Sequence, residues 1–254
     1  MKKLIPGLQH WIENLSPAEQ EHAENLPLRR DMVTFLTYLR DHRVVGTQST
    51  GNLPLKTIRE VTAHFVHPPT LDATIGEHTY RLRSEDDVWP LLFVHLLANY
   101  GYLVEGGQAK RWRLTEDGEQ FLQLPPAVQI AFLLGVWWKN MDWVVAFPYE
   151  GMSKGLPLHF KDATRKYLLE QPIGIRVPAE TFADELITRT GLKWPAKAES
   201  AQTILRAAVY RMVVDVLEYF GLAEIEYRKD RYSTSVSSFK ITAFGRGLLE
   251  TLKN

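Results

Sequence analysis

The sequence contains no cysteine. This absence excludes disulfides, thiolate zinc sites, iron–sulfur clusters and a cysteine nucleophile, and it suits a reducing cytoplasm. Long apolar runs are also missing, because the longest, residues 128–138, has 11 residues and includes Gln129. A membrane-spanning helix needs about 20 apolar residues. The amino terminus lacks the apolar core of a secretion signal, so we expect a cytoplasmic protein that does not enter the membrane.

Neither sign of charge is in excess, since 30 Lys and Arg balance 30 Asp and Glu. This balance excludes a chain that is basic overall, as many nucleic-acid coats are. With 254 residues, of which 45% are hydrophobic and 24% charged, the chain has ordinary globular composition and suits two domains. The charge is divided unevenly: residues 1–125 carry 13 basic and 16 acidic residues, and residues 126–254 carry 17 and 14.

Motifs of the common enzyme classes are absent as well. There is no nucleophile elbow, P-loop, dinucleotide-binding fingerprint or His-Glu-x-x-His sequence. Glu60, His64 and His67 share one face of a predicted helix, but no further ligand cluster accompanies them, which favours an ordinary surface group over a metal site. We therefore expect a protein without catalytic residues, metal or cofactor.

Two halves of the chain contain similar segments in the same order. The sequence LFVHLLANYGYLV at residues 92–104 resembles MVVDVLEYFGLAE at residues 212–224, with Gly101 aligned to Gly221. Farther along, RLTEDG at residues 113–118 resembles KITAFG at residues 240–245. Upstream, GNLPLK at residues 51–56 resembles KGLPLH at residues 154–159. Three matches in one order predict a duplicated domain.

Hydrophobic periodicity and turn residues predict the same elements in each half: helices, a short strand and a β-hairpin before the last helix. Gly101 is predicted as a left-handed helix cap. The fold class expected is mainly α with small β wings, an α+β arrangement of two domains. The predicted segments are an acidic helical extension at 1–28, a first domain at 29–125 and a second at 126–254.

Each copy is predicted to contain the following helices, strand and hairpin. In the first copy we predict helices over about 31–43, from 53–54 through Phe65, over about 88–100 and from Thr115 through Phe121, with a strand at 44–45 and a hairpin formed by 102–104 and 111–114. In the second copy we predict helices from Pro126 to about Trp138, after Pro157, over about 179–190 as an insertion and over about 201–220, with a strand at 143–147 and a hairpin formed by 223–227 and 236–241.

The residues around each hairpin carry a resemblance to a known superfamily. Asn99–Leu103 with Arg113–Gly118, and Tyr219–Leu222 with Ile241–Gly245, resemble the Gly-Leu…Arg-Leu-Thr-x-x-Gly frame common around the wings of winged helix-turn-helix domains. The stretch from Leu114 to Gln129 is also similar to helicase-associated tandem winged-helix modules of bacteria. The resemblance implies two tandem winged-helix domains, a fold that mostly binds DNA but also serves protein interaction.

The two copies differ in the charge of the surface that would face DNA. In such domains a recognition helix enters the major groove, and Lys and Arg contact phosphates. The third helix of the first copy is almost entirely apolar and follows the acidic residues Glu85, Asp86 and Asp87, which favours a buried or partner-facing role. The second copy has polar and basic residues on its helix and wing. Its candidate nucleic-acid-binding residues are Thr203, Arg206, Tyr210, Arg211, Arg228, Lys229, Arg231, Lys240 and Arg246.

These observations predict a non-enzymatic, transcription-regulator-like protein that binds double-stranded DNA. The alternative is a scaffold whose winged helices bind protein and do not contact DNA. A continuous positive face formed by the second copy's helix and wing would favour DNA, whereas scattered charges would favour the scaffold. An aromatic group, formed by Trp137, Trp138, Trp143 and Phe147, could stack on bases, but its spacing is more typical of core packing.

Overall fold

The structure is a computed structural model of the 254-residue chain. It describes residues 7–75, 78–147, 155–193, 200–229 and 234–252. The described residues are mainly helical with small antiparallel sheets, which confirms the α+β class.

The α-helices of the described ranges follow the periodic segments of the sequence. In chain order they are α1 (Leu8–Glu13), α2 (Pro17–Asn25), α3 (Pro27–Asp41), α4 (Leu55–Thr62), α5 (Trp89–Tyr100), α6 (Glu116–Leu122), α7 (Pro126–Gly135), α8 (Trp143–Ala146), α9 (Phe160–Glu170), α10 (Ala179–Thr190), α11 (Ala201–Val209), α12 (Asp215–Tyr219) and α13 (Ala243–Thr251). A 3₁₀ turn forms at Glu85–Asp87, a π-helical segment at Val136–Asn140 extends α7, and another at Tyr210–Val214 joins α11 to α12.

The strands are short and antiparallel. They are β1 (Val44–Val45), β2 (Ala73–Ile75), β3 (His78–Tyr80), β4 (Val104–Gly107), β5 (Lys110–Leu114), β6 (Val177–Pro178), β7 (Ala223–Lys229) and β8 (Thr234–Ile241). Both predicted hairpins are present, as β4–β5 and β7–β8.

The chain divides into two compact units. The first unit is Ala23–Met141, and the second combines the residues up to His22 with those from Asp142 onward. The sequence placed a boundary at Pro125 and a separate extension at 1–28. In the structure α7 falls within the first unit, whereas α1 packs on α13 of the second through an edge-to-face contact between Trp11 and Phe244, with ring centroids 5.4 Å apart.

The two units share an order of elements, apart from the β2–β3 hairpin between α4 and α5 of the first unit. In the first, α3, β1, α4 and α5 precede the β4–β5 hairpin and α6, and the strands lie in the order β1-β5-β4. In the second, α9, β6, α10 and the α11–α12 helix precede the β7–β8 hairpin and α13, and the strands lie in the order β6-β8-β7. In each unit, therefore, a short strand pairs with the second strand of the hairpin.

The Thr-x-x-Gly part of the repeated frame has the same structure in both units. Thr115 and Thr242 cap α6 and α13 by accepting hydrogen bonds from the backbone N–H of Gly118 (3.1 Å) and Gly245 (2.8 Å). A Cβ on either glycine would lie 2.1 Å from a carbonyl oxygen at the start of the hairpin, that of Leu103 or Leu222. The glycine is thus required by a close approach of helix and hairpin.

The predicted left-handed cap at Gly101 is wrong. Gly101 has φ −83°, and the following Tyr102 adopts the left-handed conformation with φ 55°. In the second unit the left-handed residue is Gly221, so Tyr102, not Gly101, occupies the position equivalent to Gly221. Gly101 is small for another reason, because a Cβ there would lie 3.1 Å from the ring of Phe132 on α7.

Two other predictions for the second copy are wrong. The expected strand at Trp143–Phe147 is the short helix α8, whose first turn is capped by Asp142, which accepts a hydrogen bond from Val144 N at 2.9 Å. The cap and the burial of Trp143 outweigh the strand preference of valine and aromatic residues. Helix α10, expected as an insertion, occupies the same place in the element order as α4, so the two Leu-Pro-Leu segments precede non-equivalent helices.

Candidate nucleic-acid interface

Helix α11 carries the candidate base-reading residue Arg206, which is held by carboxylates of α10. Its Nε and Nη2 donate to the two carboxylate oxygens of Asp184 at 2.7 and 2.6 Å, and Nη1 contacts Glu180. Asp184 also accepts from the Gln202 amide at 2.8 Å. The guanidinium is therefore committed to a bidentate ion pair within its own unit.

The electrostatics of this cluster follow from the ion pair. Hydrogen bonding to Asp184 raises the pKa of Arg206, and the same bond lowers the pKa of Asp184. Burial, then the charge of Glu180, raises the pKa of the Tyr210 hydroxyl. Thr203 is exposed nearby. A DNA phosphate approaching Arg206 would have to displace two carboxylates, so the exposed face of α11 is not a positive surface.

Other candidate cations of the second unit are also partnered. Arg211 lies 3.6 Å from Asp215, one helical turn along the chain. Arg246 donates to the backbone carbonyl of Gln171, and its Nε is buried without a partner. These guanidinium groups serve contacts inside the unit.

The β7–β8 hairpin of the second unit has a neutral base and a basic end. At the base, Glu226 accepts from Arg176 Nη2 and Ser238 Oγ, each at 2.6 Å, and lies 3.6 Å from Lys240 Nζ. The hydrogen bond from Ser238, followed by that from Arg176, lowers the pKa of Glu226. Arg228 and Lys229 are exposed at the end of β7, and the candidate Arg231 lies outside the described residues. The eight candidates that the structure describes therefore do not form one positive face.

The acidic segment of the first unit is only partly exposed, which changes its expected effect on an approaching phosphate. Glu85 is 1% exposed, and its carboxylate accepts from Leu53 N at 3.0 Å and lies 2.5 Å from His95 Nδ1. Asp87 accepts from the backbone N–H of Arg83 and caps the 3₁₀ turn. Glu85 therefore anchors the core. Helix α5 offers few polar side chains to solvent, since Asn99 is the only exposed residue on it.

The remaining groups singled out in the sequence have structural surroundings. Trp137 and Trp138 are buried in the first unit, and Trp143 and Phe147 are buried in the second, which agrees with core packing. Glu60 accepts from the Tyr38 hydroxyl and lies 3.8 Å from Lys56. Across the described ranges, no group of three or more His, Asp or Glu side chains is placed to hold a metal ion.

Sequence reasoning missed the acidic partners of the candidate cations. Asp184 lies 22 residues from its partner Arg206 along the chain, and Glu226 lies 50 residues from its partner Arg176. Neither acidic residue therefore carried a local sequence signal. A strand register or helix pairing is needed before such contacts can be anticipated.

Comparison with known proteins adds no assignment: no protein-family model, curated protein or solved structure matches the chain. Within the part of the chain that the structure describes, no helix combines the length and apolar composition needed to cross a bilayer.

Proposed function

We propose that the protein is a non-enzymatic, cytoplasmic DNA-binding protein with two winged-helix units, and that it holds duplex DNA through phosphates. The fold part of the proposal is supported by the element order helix, strand, helix, helix, hairpin, which occurs in both units. It is supported further by the pairing of β1 and β6 with the second hairpin strand. This is the arrangement that the winged helix-turn-helix resemblance implies.

The mode of DNA binding is argued from which cations remain accessible. On α11 the guanidinium of Arg206 is paired with Asp184 and Glu180, which leaves few of its N–H donors for base edges in the major groove. Exposed cations occur instead at the wings, such as Lys110 in the first unit and Lys229 in the second. Wing cations contact phosphates, which position a duplex without reading its sequence. The protein therefore binds different duplexes with similar affinity.

The test is a fluorescence-anisotropy titration of duplexes of about 30 base pairs at several salt concentrations between about 50 and 200 mM, where released counterions make affinity depend on salt. We expect log affinity to fall with log salt, with a slope of about −0.9 per neutralised phosphate. Duplexes of unrelated sequence should bind alike, and Arg206→Gln should not change their ranking. Undetectable binding at the lowest salt would refute the proposal.

A second candidate function is protein interaction without DNA contact. The observation that favours it is the neutralisation of α11 by the carboxylates of α10, which leaves the face expected to read DNA without net positive charge. It predicts no anisotropy change with any duplex at low salt. A salt-dependent titration curve would exclude this candidate as the sole function.

A further inference from the structure

The exposed faces of the two three-stranded sheets differ in charge although their strands are ordered alike. In the first unit the register pairs Val45 with Arg111 and Glu105 with Arg113. Because side chains two residues apart share a face, Arg43 lies on the same face as Val45. All five residues are exposed, whereas Trp112, between the two arginines of β5, is buried on the opposite face. The exposed face thus brings three arginines together with one carboxylate.

The same face of the second unit is neutralised by a central acid. The register pairs Glu224 with Lys240 and Glu226 with Ser238, and places Arg176 beside them on the edge next to β6. Glu226 binds Arg176 and Ser238 and approaches Lys240, as described above. Arg176 and Lys240 on this face therefore both have a carboxylate partner.

The first unit has no equivalent of this central acid, because β4 gives way to a glycine turn at that level. The register shifts after Glu105, and Gly107 is the residue that pairs with Lys110. Glu105 is paired with Arg113, whose Nε lies 2.7 Å from its carboxylate oxygen. Among the described residues, no carboxylate lies within 4.0 Å of the side-chain nitrogens of Arg43, Lys110 or Arg111.

The backbone that carries these cations is tightly packed. A Cβ on Gly46 would lie 2.2 Å from the carbonyl oxygen of Gly107, and one on Gly51 would lie 2.6 Å from the backbone nitrogen of Gln108. The indole Nε1 of Trp112 donates to the Gly51 carbonyl at 2.9 Å. The loop after β1 is thereby fixed against the hairpin, so the cations are held on a rigid platform and lose little backbone freedom on binding.

We propose that Arg43 and Arg111 on this exposed sheet face, with the adjoining Lys110 at the end of the hairpin, here together called the arginine face, form the principal contact of the protein with the phosphate backbone of double-stranded DNA. The inference rests on the proposed function and moves the main contact to the first unit, where the sequence predicted none. Charge complementarity selects the occupant, because guanidinium groups bind phosphate oxygens through paired hydrogen bonds. The contact uses the exposed face of the sheet, so it requires no side chain of α5 or α11.

The experiment compares the salt dependence of duplex binding for three forms of the full chain. The first is the wild type, the second carries Arg43→Glu with Arg111→Glu, and the third is a control with Lys166→Glu and Lys193→Glu. The control has the same change in net charge at exposed lysines of the second unit. Loss of two phosphate contacts should reduce the slope by about 1.8 and weaken binding at least about tenfold at low salt, whereas the control should stay near wild type.

Several outcomes separate the two proposals. If the wild type does not bind duplex DNA, the proposed function fails, and this inference fails with it. If the wild type binds but the arginine-face variant and the control behave alike, only the inference is overturned. A thermal melt checks folding, and Arg43→Gln with Arg111→Gln provides a milder variant that should still reduce the slope by about 1.8.

A gain-of-function variant tests the same reasoning in the second unit. Glu226→Gln removes the charge that neutralises Arg176 and Lys240 and should make that sheet face resemble the arginine face. We expect the salt slope to steepen by about 1 to 2, as one or two further phosphates are neutralised. An unchanged slope would contradict the argument that a sheet face without a central acid takes phosphate.

Discussion

The glycine of the repeated Thr-x-x-Gly frame allows a demanding test of the fold. Gly245→Ala places a Cβ 2.1 Å from the Leu222 carbonyl oxygen, whereas real Cβ contacts are essentially never shorter than 3.0 Å. Helix α13 and the start of the hairpin must therefore separate by nearly an ångström. That carbonyl also accepts from the Thr242 backbone N–H at 3.1 Å, so the movement strains the hydrogen bond that joins them.

The magnitude follows from opposing contributions. Overpacking costs about 1–3 kcal/mol, and loss of the hydrogen bond adds about 1 kcal/mol. Alanine recovers about 1 kcal/mol through its higher helix propensity. If the backbone can move only partly, we expect the free energy of unfolding to fall by about 1–3 kcal/mol, even though Gly→Ala in a helix usually stabilises.

Chemical denaturation followed by circular dichroism provides the assay, and Glu250→Ala, at an exposed position of the same helix, provides the control. Gly118→Ala in the first unit should show a similar loss, because its Cβ would meet the Leu103 carbonyl oxygen at the same 2.1 Å. If either glycine variant is as stable as the wild type, the close approach does not constrain the fold as argued.

Four further substitutions test packing and charge. Leu217→Ala should lower the free energy of unfolding by about 2–5 kcal/mol, because the side chain is 1% exposed. Leu96→Ala should lower it less, because that side chain is half-buried. Equal losses for the two variants would contradict this reasoning from burial. Glu85→Ala should cost about 3–5 kcal/mol in a denaturant titration, since it leaves a buried backbone N–H and an imidazole without their shared acceptor. Asp184→Asn should abolish the part of the free energy of unfolding that depends on the ionisation of Asp184. Arg206 lowers the pKa of Asp184 in the folded state. The stabilisation by Asp184 is therefore present above the pKa of the unfolded state and is lost as the pH falls through the pKa of the folded state. Melts from about pH 5 to pH 2 measure it, and an unchanged acid profile would contradict the ion pair.

The sequence by itself determined the local elements of this protein. Ser16 precedes α2, with Glu19 accepting from its backbone N–H at 2.9 Å, and Thr115 caps α6. Both hairpins formed at their glycine-containing or β-rich segments, and the apolar stretches around residues 91–97 and 212–217 are mostly buried. These features depend on residues close together in the chain, where spacing and turn chemistry provide enough information.

Only the tertiary structure decided which charges remain accessible. The candidate Arg206 is occupied by Asp184 of another helix, and Glu226 on β7 pairs with Lys240 of β8 and with Arg176, which directly precedes β6. The arginine face, including Arg43 and Arg111, exists because β1 pairs with β5 in one particular register. A shift of that register by one residue would turn every side chain to the other face. Such pairings join residues far apart in the chain, so composition and periodicity alone could not identify the surface now proposed to bind DNA.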